Sequence, residues 1–450
     1  MNTLTKVAEF VQSRDLARMP NDRFDRVKRH VVDSWAAQMA GARIDANNAR
    51  PEPVALRQAQ GDPEAARRVE GRARGSWFDT LTTSGLTQPL PDLVLSCAQA
   101  RCTEIDDIHL TSCTTPGAVV VSTALALADR RAKMNLRDFC AAVLAGYECM
   151  IRLGVAIDGP TALHRGVWPT ACTAAFGSAA VAARLMGLSV EETAGALATS
   201  IAFAQHRAMA SSPPRSSRWL TLGVAAANGV LAARGALAGL SGSIDVDAWS
   251  AALLRGLARR FLFDEIGMKP FPTARQALAA IEATRGLVDA ERLTPTDITA
   301  IIVAVPEPQR FIIDRPGFPQ TRFDSIVNVR YQIALAIVAP DRIVDVERTP
   351  LFTSPTLRRL MTKIRVTRAR DLDGCYPRSW PARVEVRSRG RRHVRTVMHP
   401  HGDAKRPLTW SDLRVKTRAI AAPTAKASAI DRVVDEWRDA DADAPMPLLP

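Results

Sequence analysis

The residues with the most chemical potential lie in one short segment, EIDDIHLTSCTTPG, which runs from Glu104 to Gly117. It holds three carboxylates, one imidazole, four hydroxyls and a thiol between two alanine-rich apolar stretches. Burying such groups costs free energy unless they are paired or used, so a polar segment between core helices is more often a site than an accident. Helix capping by Asp107 and Thr115 is the alternative, but it explains only one or two of these groups. The segment therefore predicts a functional site.

Two arginine-containing loops are further candidates for binding an anion. HRGVWPT at 164–170 places His164 and Trp168 before a helix N-terminus, where an anion can bind. SSPPRSSRW at 211–219 carries Arg215 and Arg218, whose planar guanidinium groups suit carboxylates. An ordinary loop anchored by a buried tryptophan and a solvated loop are the respective alternatives.

Two later segments could supply an acid, a base or a carboxylate clamp. Lys269 precedes PFPTARQ, which includes Arg275, and a lysine in a cleft can bind a carboxylate or transfer a proton if its pKa is lowered. NVRYQ at 328–332 puts Arg330 and Tyr331 at the start of a helix. Tyr331 could donate a proton or simply fill core space.

Two kinds of element must position these residues. From about residue 92 to 265 the pattern predicts one apolar helix after another, as in the interior of a large helical domain. After Gly267 the sequence DITAIIVAV predicts a strand, and ARVEVRSRGRRHVRTV predicts a β-hairpin. Residues 46–75 predict a long surface connection.

The predicted fold is therefore mainly α with a smaller α+β domain. We expect an all-helical domain over 1–267, completed by 405–450, and an α+β lid domain over 268–404. A cleft between the two domains is the expected place for a substrate.

Composition excludes several functional classes. The net charge is +14 with a pI near 10.1, but the arginines are spread over the chain and form no basic block with stacking aromatics, so we expect no nucleic-acid partner. No uncharged apolar run reaches the roughly 18 residues of a membrane span, and the N-terminus lacks a signal core. We expect a cytoplasmic protein whose seven scattered cysteines are reduced thiols and which has no metal site.

The order of these segments resembles the MmgE/PrpD family, which includes 2-methylcitrate dehydratase, cis-aconitate decarboxylase and iminodisuccinate epimerase. The resemblance runs from about residue 5 to about 420. Its carriers are EIDDIH followed by TPG, GYECMIRLG, HRGVWPTACTAAFGSAAVAARLMGL, LGVAAANGVLAA, KPFP, RYQIALAI, YPRSWPARVEV and HPHGDAKRPLTWSDLRVK. The resemblance implies a helical domain, an α+β lid, a homodimer, and activity on small carboxylates without a metal or an organic cofactor.

Five positions match residues that the family uses. They are Glu104, Asp106, Asp107, Lys269 and Tyr331. From the resemblance we expect Glu104, Asp107, Lys269 and Tyr331 to be catalytic.

Three other positions depart from the family pattern. Thr115 and Trp168 stand where the family commonly has histidines, and Arg218 replaces a lysine. Imidazole titrates near neutrality, so the two histidines are natural proton carriers, and their absence favours a modified mechanism. His109 and His164 are close enough in sequence to replace them.

Together these residues predict a lyase, of dehydratase or decarboxylase type, acting on a small di- or tricarboxylate. The substrate would be held by Arg218, Lys269, Arg275 and Arg330, with Thr115, His164 and Trp168 also in the binding site. Tyr331, His109 or Lys269 would move the proton, and Glu104 or Asp107 would orient the group that does so. Epimerisation through the same carbanion, or a homologue that binds carboxylates without turnover, are the alternatives.

Overall fold

The computed structural model describes residues 2–48, 89–128, 134–204, 217–348, 350–421 and 425–449. The surface connection predicted over 46–75 lies outside these residues from residue 49 onward. Arg215 lies outside them as well.

The chain forms two compact units. The helical unit comprises Met1–Glu265 with Ala421–Pro450, and the mixed unit comprises Ile266–Ile420. Residues 405–420, which the sequence assigned to the helical domain, lie in the mixed unit, where several of their side chains line a groove with other residues of that unit.

The helical unit confirms the predicted succession of helices. Its helices are α1 (Thr3–Gln12), α2 (Asn21–Asn48), α3 (Pro89–Cys102), α4 (Gly117–Leu127), α5 (Leu136–Ala156), α6 (Gly159–His164), α7 (Pro169–Leu185), α8 (Val190–Ala202), α9 (Arg218–Leu237), α10 (Asp247–Leu254) and, at the chain end, α17 (Ala427–Asp439). A two-residue strand, β1 (Ile108–His109), lies between α3 and α4.

Helix α7 is the centre of this unit, since it packs against both α5 and α9. Close packing depends on glycine. A Cβ added to Gly229 on α9 would lie 2.2 Å from the carbonyl oxygen of Ala175 on α7, and one added to Gly223 would lie 2.3 Å from the carbonyl oxygen of Val94 on α3. Gly223 and Gly229 thus permit close contacts of α9 with α3 and α7.

Two helices, α5 and α9, are long and apolar enough to cross a membrane by length and composition. In α5, 89% of the apolar window is buried inside the protein, compared with 50% in α9. Core helices of globular domains pass the same test, so these two helices are weak evidence for a membrane span.

The mixed unit combines a four-stranded sheet with short helices. Its elements are β2 (Ile266–Gly267), α11 (Leu278–Ala290), β3 (Ile298–Val305), α12 (Glu307–Ile313), α13 (Arg322–Val327), α14 (Val329–Val338), α15 (Pro355–Thr362), β4 (Ile364–Arg368), β5 (Ala382–Ser388), β6 (Arg391–Val397) and α16 (Trp410–Ala421).

The sheet has the order β4-β3-β5-β6, in which β3 and β4 are parallel and the other pairs are antiparallel. The predicted hairpin is confirmed, with Ser388 opposite Arg391 across a turn of Arg389 and Gly390. Both turn residues have positive φ, 48° and 71°. Such values match the right-handed twist of the strands, and glycine adopts them without strain.

Candidate functional site

Asp107 is the centre of a buried hydrogen-bonded network in the helical unit. Its Oδ2 accepts a hydrogen bond from the Tyr147 hydroxyl at 2.7 Å and lies 2.8 Å from Nδ1 of His30. Its Oδ1 accepts the backbone N–H of Gly117 at 2.9 Å. His30, Asp107 and Tyr147 are each at most 2% exposed. The carboxylate thus ties together helices α2, α4 and α5.

This environment keeps Asp107 ionised. Burial raises the pKa of its carboxyl, but the hydrogen bonds from His30, Tyr147 and Gly117 together lower the pKa by more, so it lies below its ordinary value. The pKa of Tyr147 is raised well above the ordinary value by burial and by the Asp107 charge. A Cβ at position 117 would lie 2.9 Å from Asp107 Oδ2, so the glycine permits this close approach. Asp107 therefore orients the side chains of His30 and Tyr147 through these hydrogen bonds.

The other two carboxylates of the segment bind Arg101 in the last turn of α3. Arg101 Nη1 lies 2.9 Å from Glu104 Oε2 and 3.2 Å from Asp106 Oδ1. All three side chains are buried. Burial alone lowers the pKa of Arg101, but the charges of Asp106 and Glu104 raise it by more, so the pKa lies above its ordinary value. Glu104 has a φ of 57°, a left-handed conformation that non-glycine residues seldom adopt.

Arg218 joins this cluster through two tryptophans. Its Cζ lies 4.1 Å from the ring centroid of Trp168 and 5.1 Å from that of Trp219, and Arg101 Cζ lies 5.7 and 5.3 Å from the same rings. The two indoles meet edge to face at 6.0 Å. Cations at these distances are attracted to the electron-rich face of an indole. We call Arg101, Trp168, Arg218 and Trp219 the Arg–Trp cluster.

The guanidinium of Arg218 is buried beside charges of both signs. Burial lowers its pKa, the neighbouring charge of Arg101 lowers it further, and Glu104 and Asp106 raise it by less, which leaves a pKa of about 10. A guanidinium remains protonated at neutral pH even so. Additional negative charge near Arg218 would therefore be stabilised.

Thr115 lies two residues before α4 and contacts Thr170 in the first turn of α7. Its backbone N–H and its hydroxyl both lie 3.2 Å from Oγ1 of Thr170. Trp168 is the N-cap residue of α7, and its side chain makes no capping hydrogen bond. The structure thus gathers Thr115, Trp168 and Arg218 at one helix N-terminus.

His109 is a buried imidazole that is uncharged at neutral pH. It is 1% exposed, and its Nδ1 lies 2.9 Å from the Ser112 hydroxyl. Its Nε2 has no hydrogen-bond partner among the described residues and lies 3.9 Å from Glu265 Oε2. Burial lowers the pKa of His109 to about 3, with a smaller contribution from the charge of Arg260. An imidazole with this pKa is a weak base at neutral pH.

His164 has a different position, at the C-terminal end of the six-residue helix α6, where its side chain is exposed. His109 and His164 thus differ in exposure. Their predicted role as replacement proton carriers stays a prediction.

Among the predicted residues of the mixed unit, Lys269, Arg275 and Tyr331 are buried. Lys269 is 2% exposed. Arg275 is also buried, and its Nη2 lies 2.5 Å from Asp403 Oδ2, while its Nη1 has no hydrogen-bond partner among the described residues. Burial lowers the pKa of Arg275, and the Asp403 charge opposes this change. Arg275 thus retains one buried donor.

Arg330 and Tyr331 make different contacts although they are neighbours in sequence. Arg330 binds Asp314 at 2.6 Å and donates to the carbonyl oxygens of Ile364 and Arg315 at 3.1 and 2.9 Å, so its guanidinium is occupied by its own unit. The Tyr331 hydroxyl donates to the carbonyl oxygen of Phe352 at 3.0 Å and lines a cavity of about 300 Å³. Burial raises the pKa of Tyr331.

Sequence reasoning missed four residues of these networks. His30 and Tyr147 bind Asp107, Arg101 binds the two other carboxylates, and Trp219 completes the Arg–Trp cluster. Arg101 lies three residues before Glu104, a spacing typical of helix ion pairs, and could have been found. His30 is 77 residues from Asp107, and no local pattern connects them.

The described residues contain no group of three or more histidine, cysteine, aspartate and glutamate side chains that could hold a metal ion. The seven cysteines, which all lie in described segments, form no disulfide.

Comparison with known proteins gives a family for almost the whole chain. The model of the MmgE/PrpD N-terminal domain matches residues 5–260, and the model of the MmgE/PrpD C-terminal domain matches residues 271–439. No curated protein matches the chain. Since the two domain models follow one another and together cover far more than half of the sequence, the chain belongs to the MmgE/PrpD family, whose members are generally enzymes of lyase type.

Proposed function

We propose that this protein is a cofactor-independent lyase, of dehydratase or decarboxylase type, that acts on a small di- or tricarboxylate. The observation that carries the proposal is the Arg–Trp cluster. Two guanidinium groups share two indole faces, and Arg218 keeps a lowered pKa although Glu104 and Asp106 lie nearby. A substrate carboxylate beside Arg218 would offset the repulsion between the guanidinium groups of Arg101 and Arg218.

The surroundings of Arg218 suit a substrate carboxylate. A guanidinium presents a planar pair of N–H donors that matches the two oxygens of a carboxylate. Helix α7 is 17 residues long and begins beside the hydroxyls of Thr115 and Thr170. Backbone amides at a helix N-terminus attract negative charge. A second carboxylate of the substrate would bind there.

The same groups suit the chemistry of the family. Loss of a proton, or of CO2, from the carbon next to a carboxylate places charge on the carboxylate oxygens as an enediolate. Guanidinium groups already in place stabilise that charge without reorganisation. Departure of hydroxide from the adjacent carbon then completes a dehydration, whereas protonation of the carbanion completes a decarboxylation. Proton transfer by Tyr331, His109 or Lys269, as expected from the sequence, stays a prediction.

A second candidate is a homologue that binds carboxylates without turning them over. The placement of the histidines favours it, because His109 is a buried neutral imidazole and His164 is exposed. Thr115 and Trp168, which occupy the family's histidine positions, cannot carry a proton near neutral pH. Arg218 would bind a carboxylate equally well in such a protein.

Proton NMR in heavy water separates the candidates. The full-length protein is incubated with a panel of di- and tricarboxylates, and deuterium uptake, new vinylic signals and loss of CO2 are followed together. We expect one substrate to be converted, with Arg218→Ala lowering kcat/KM at least 100-fold. Arg18→Ala is the control, since the Arg18 side chain is 78% exposed.

Each alternative result has a defined meaning. Deuterium exchange with inversion but without elimination assigns epimerisation. Saturable binding that depends on Arg218, without any conversion, assigns the second candidate. Full activity in Arg218→Ala would refute the carboxylate site, as would a panel in which nothing binds.

A further inference from the structure

The mixed unit carries a groove of about 480 Å³ that the proposed reaction does not use. Its apolar wall comes from helices α11 and α16 and from the connecting segments, with the side chains of Phe271, Leu278, Ile281, Ile343, Leu408 and Val415. Val415 is 67% exposed, so the groove opens to solvent. Grooves of 300 to 1,000 Å³ with apolar walls and a few polar groups are typical sites for small ligands.

Two arginines stand at this wall without a carboxylate partner. Arg285 on α11 and Arg395 on β6 both line the groove, and neither makes an ion pair or a side-chain hydrogen bond within the described part of the chain. A guanidinium beside apolar surface is suited to an anionic headgroup whose remaining atoms are apolar.

The acidic residues of the groove do not neutralise these arginines. Glu282 binds Arg406 Nη1 at 2.6 Å and accepts the backbone N–H of His401, also at 2.6 Å. Asp412 accepts the backbone N–H of Thr409 at 2.8 Å and lies 3.3 Å from His401 Nε2. The third acid, Asp289, is exposed at the rim. Within the described part of the chain, none of these three acids forms an ion pair with Arg285 or Arg395.

A glycine fixes where the guanidinium of Arg395 lies. A Cβ added to Gly286 on α11 would be 2.2 Å from Arg395 Nη1 and 2.7 Å from its Cζ. The Arg395 guanidinium thus lies directly against the backbone of α11 at Gly286, where no side chain separates them. Any other residue at 286 would move the end of the Arg395 side chain.

We propose that this groove binds a medium-chain acyl carboxylate, with its headgroup at Arg285 and Arg395 and its chain along the apolar wall. The charge of the two arginines selects the anion, and the burial of methylene groups along the wall supplies most of the affinity. The proposal is independent of the lyase reaction, because Arg285, Gly286 and Arg395 belong to none of the residues assigned to it.

Isothermal titration calorimetry of the full-length protein with dodecanoate, below the concentration at which it forms micelles, tests the proposal. We expect one saturable site. Dodecanol tests the apolar wall without the charge, and acetate tests the charge without the chain, and both should bind at least tenfold more weakly. Arg395→Ala should weaken dodecanoate binding at least tenfold.

The decisive variant is Gly286→Ala. The added methyl displaces the Arg395 guanidinium without removing it, and alanine is a better helix former than glycine, so the melting temperature should not fall. We expect this variant to remain folded and to lose affinity. Arg365→Ala is the matched control, because Arg365 is an exposed arginine on β4, at the opposite edge of the sheet.

Two results would overturn the proposal. One is dodecanoate affinity that is the same in wild type, Arg395→Ala and Gly286→Ala. The other is equal binding of dodecanol and dodecanoate, which would show an apolar surface without headgroup recognition. Equal weakening by Arg365→Ala would show a nonspecific effect of net charge and would also count against the site.

Discussion

The buried imidazole of His109 makes stability depend on pH in a way that can be calculated. In the unfolded chain a histidine has a pKa near 6.5, whereas burial lowers the pKa of His109 to about 3 in the folded protein. The unfolded state therefore binds the extra proton as pH falls below 6.5. Stability from this residue is fully present above pH 6.5 and is lost as pH falls towards 3.

The size of the effect follows from the two pKa values. Each pH unit between them costs about 1.4 kcal/mol, so acidification from pH 7 to pH 5 should cost about 2 kcal/mol of unfolding free energy through His109 alone. Other groups titrate over the same range, so the quantity to compare is the difference between wild type and His109→Gln. Glutamine can still hydrogen-bond to Ser112, which lies 2.9 Å from the imidazole.

Urea denaturation followed by circular dichroism at pH 7 and pH 5 measures this difference. We expect the pH-dependent loss in His109→Gln to be smaller than in wild type by about 2 kcal/mol. His164→Gln is the matched control, because the His164 side chain is exposed, and it should retain the wild-type loss. The same loss in wild type and His109→Gln would refute the reasoning, as would an NMR titration of His109 with a midpoint near 6.5.

Three further predictions concern the candidate site. Asp107→Asn replaces one oxygen of a carboxylate that has three hydrogen-bond partners with an NH2 group, which can only donate. This change should lower the unfolding free energy, measured by urea denaturation, by about 2 to 4 kcal/mol. Its control is Asp15→Asn, on a side chain that is 86% exposed, which should change stability by less than about 0.5 kcal/mol. Lys269→Ala should abolish turnover while the circular dichroism spectrum is retained, and full activity would remove Lys269 from the mechanism. EDTA should leave turnover unchanged, and a loss restored by a divalent ion would contradict a cofactor-independent reaction.

The sequence predicted the elements better than it predicted the contacts between them. The hairpin at 382–397 has a local cause, since Arg389 and Gly390 form the turn and apolar residues alternate on both sides. The helices around α7 have the apolar periodicity and the glycines that close packing requires. Such features are encoded within a few residues of one another.

The networks of the site are encoded over long distances. Asp107 stood out because carboxylates are rare between apolar helices, but its partners His30 and Tyr147 look like ordinary core residues of α2 and α5. Arg330 was predicted to bind substrate, but the sequence did not indicate that it forms an ion pair with Asp314. Residue type indicates what a side chain can do, whereas the tertiary fold decides which partner it has.

The two indoles of the Arg–Trp cluster give this protein an intrinsic optical probe. Indole emission responds to charge and water next to the ring, and Trp168 and Trp219 both have the Arg218 guanidinium within 5.1 Å of the ring centroid. A carboxylate that arrives at Arg218 changes the field at both rings. Ligands can therefore be screened by fluorescence without a label, and Trp168→Phe and Trp219→Phe identify which ring reports the binding.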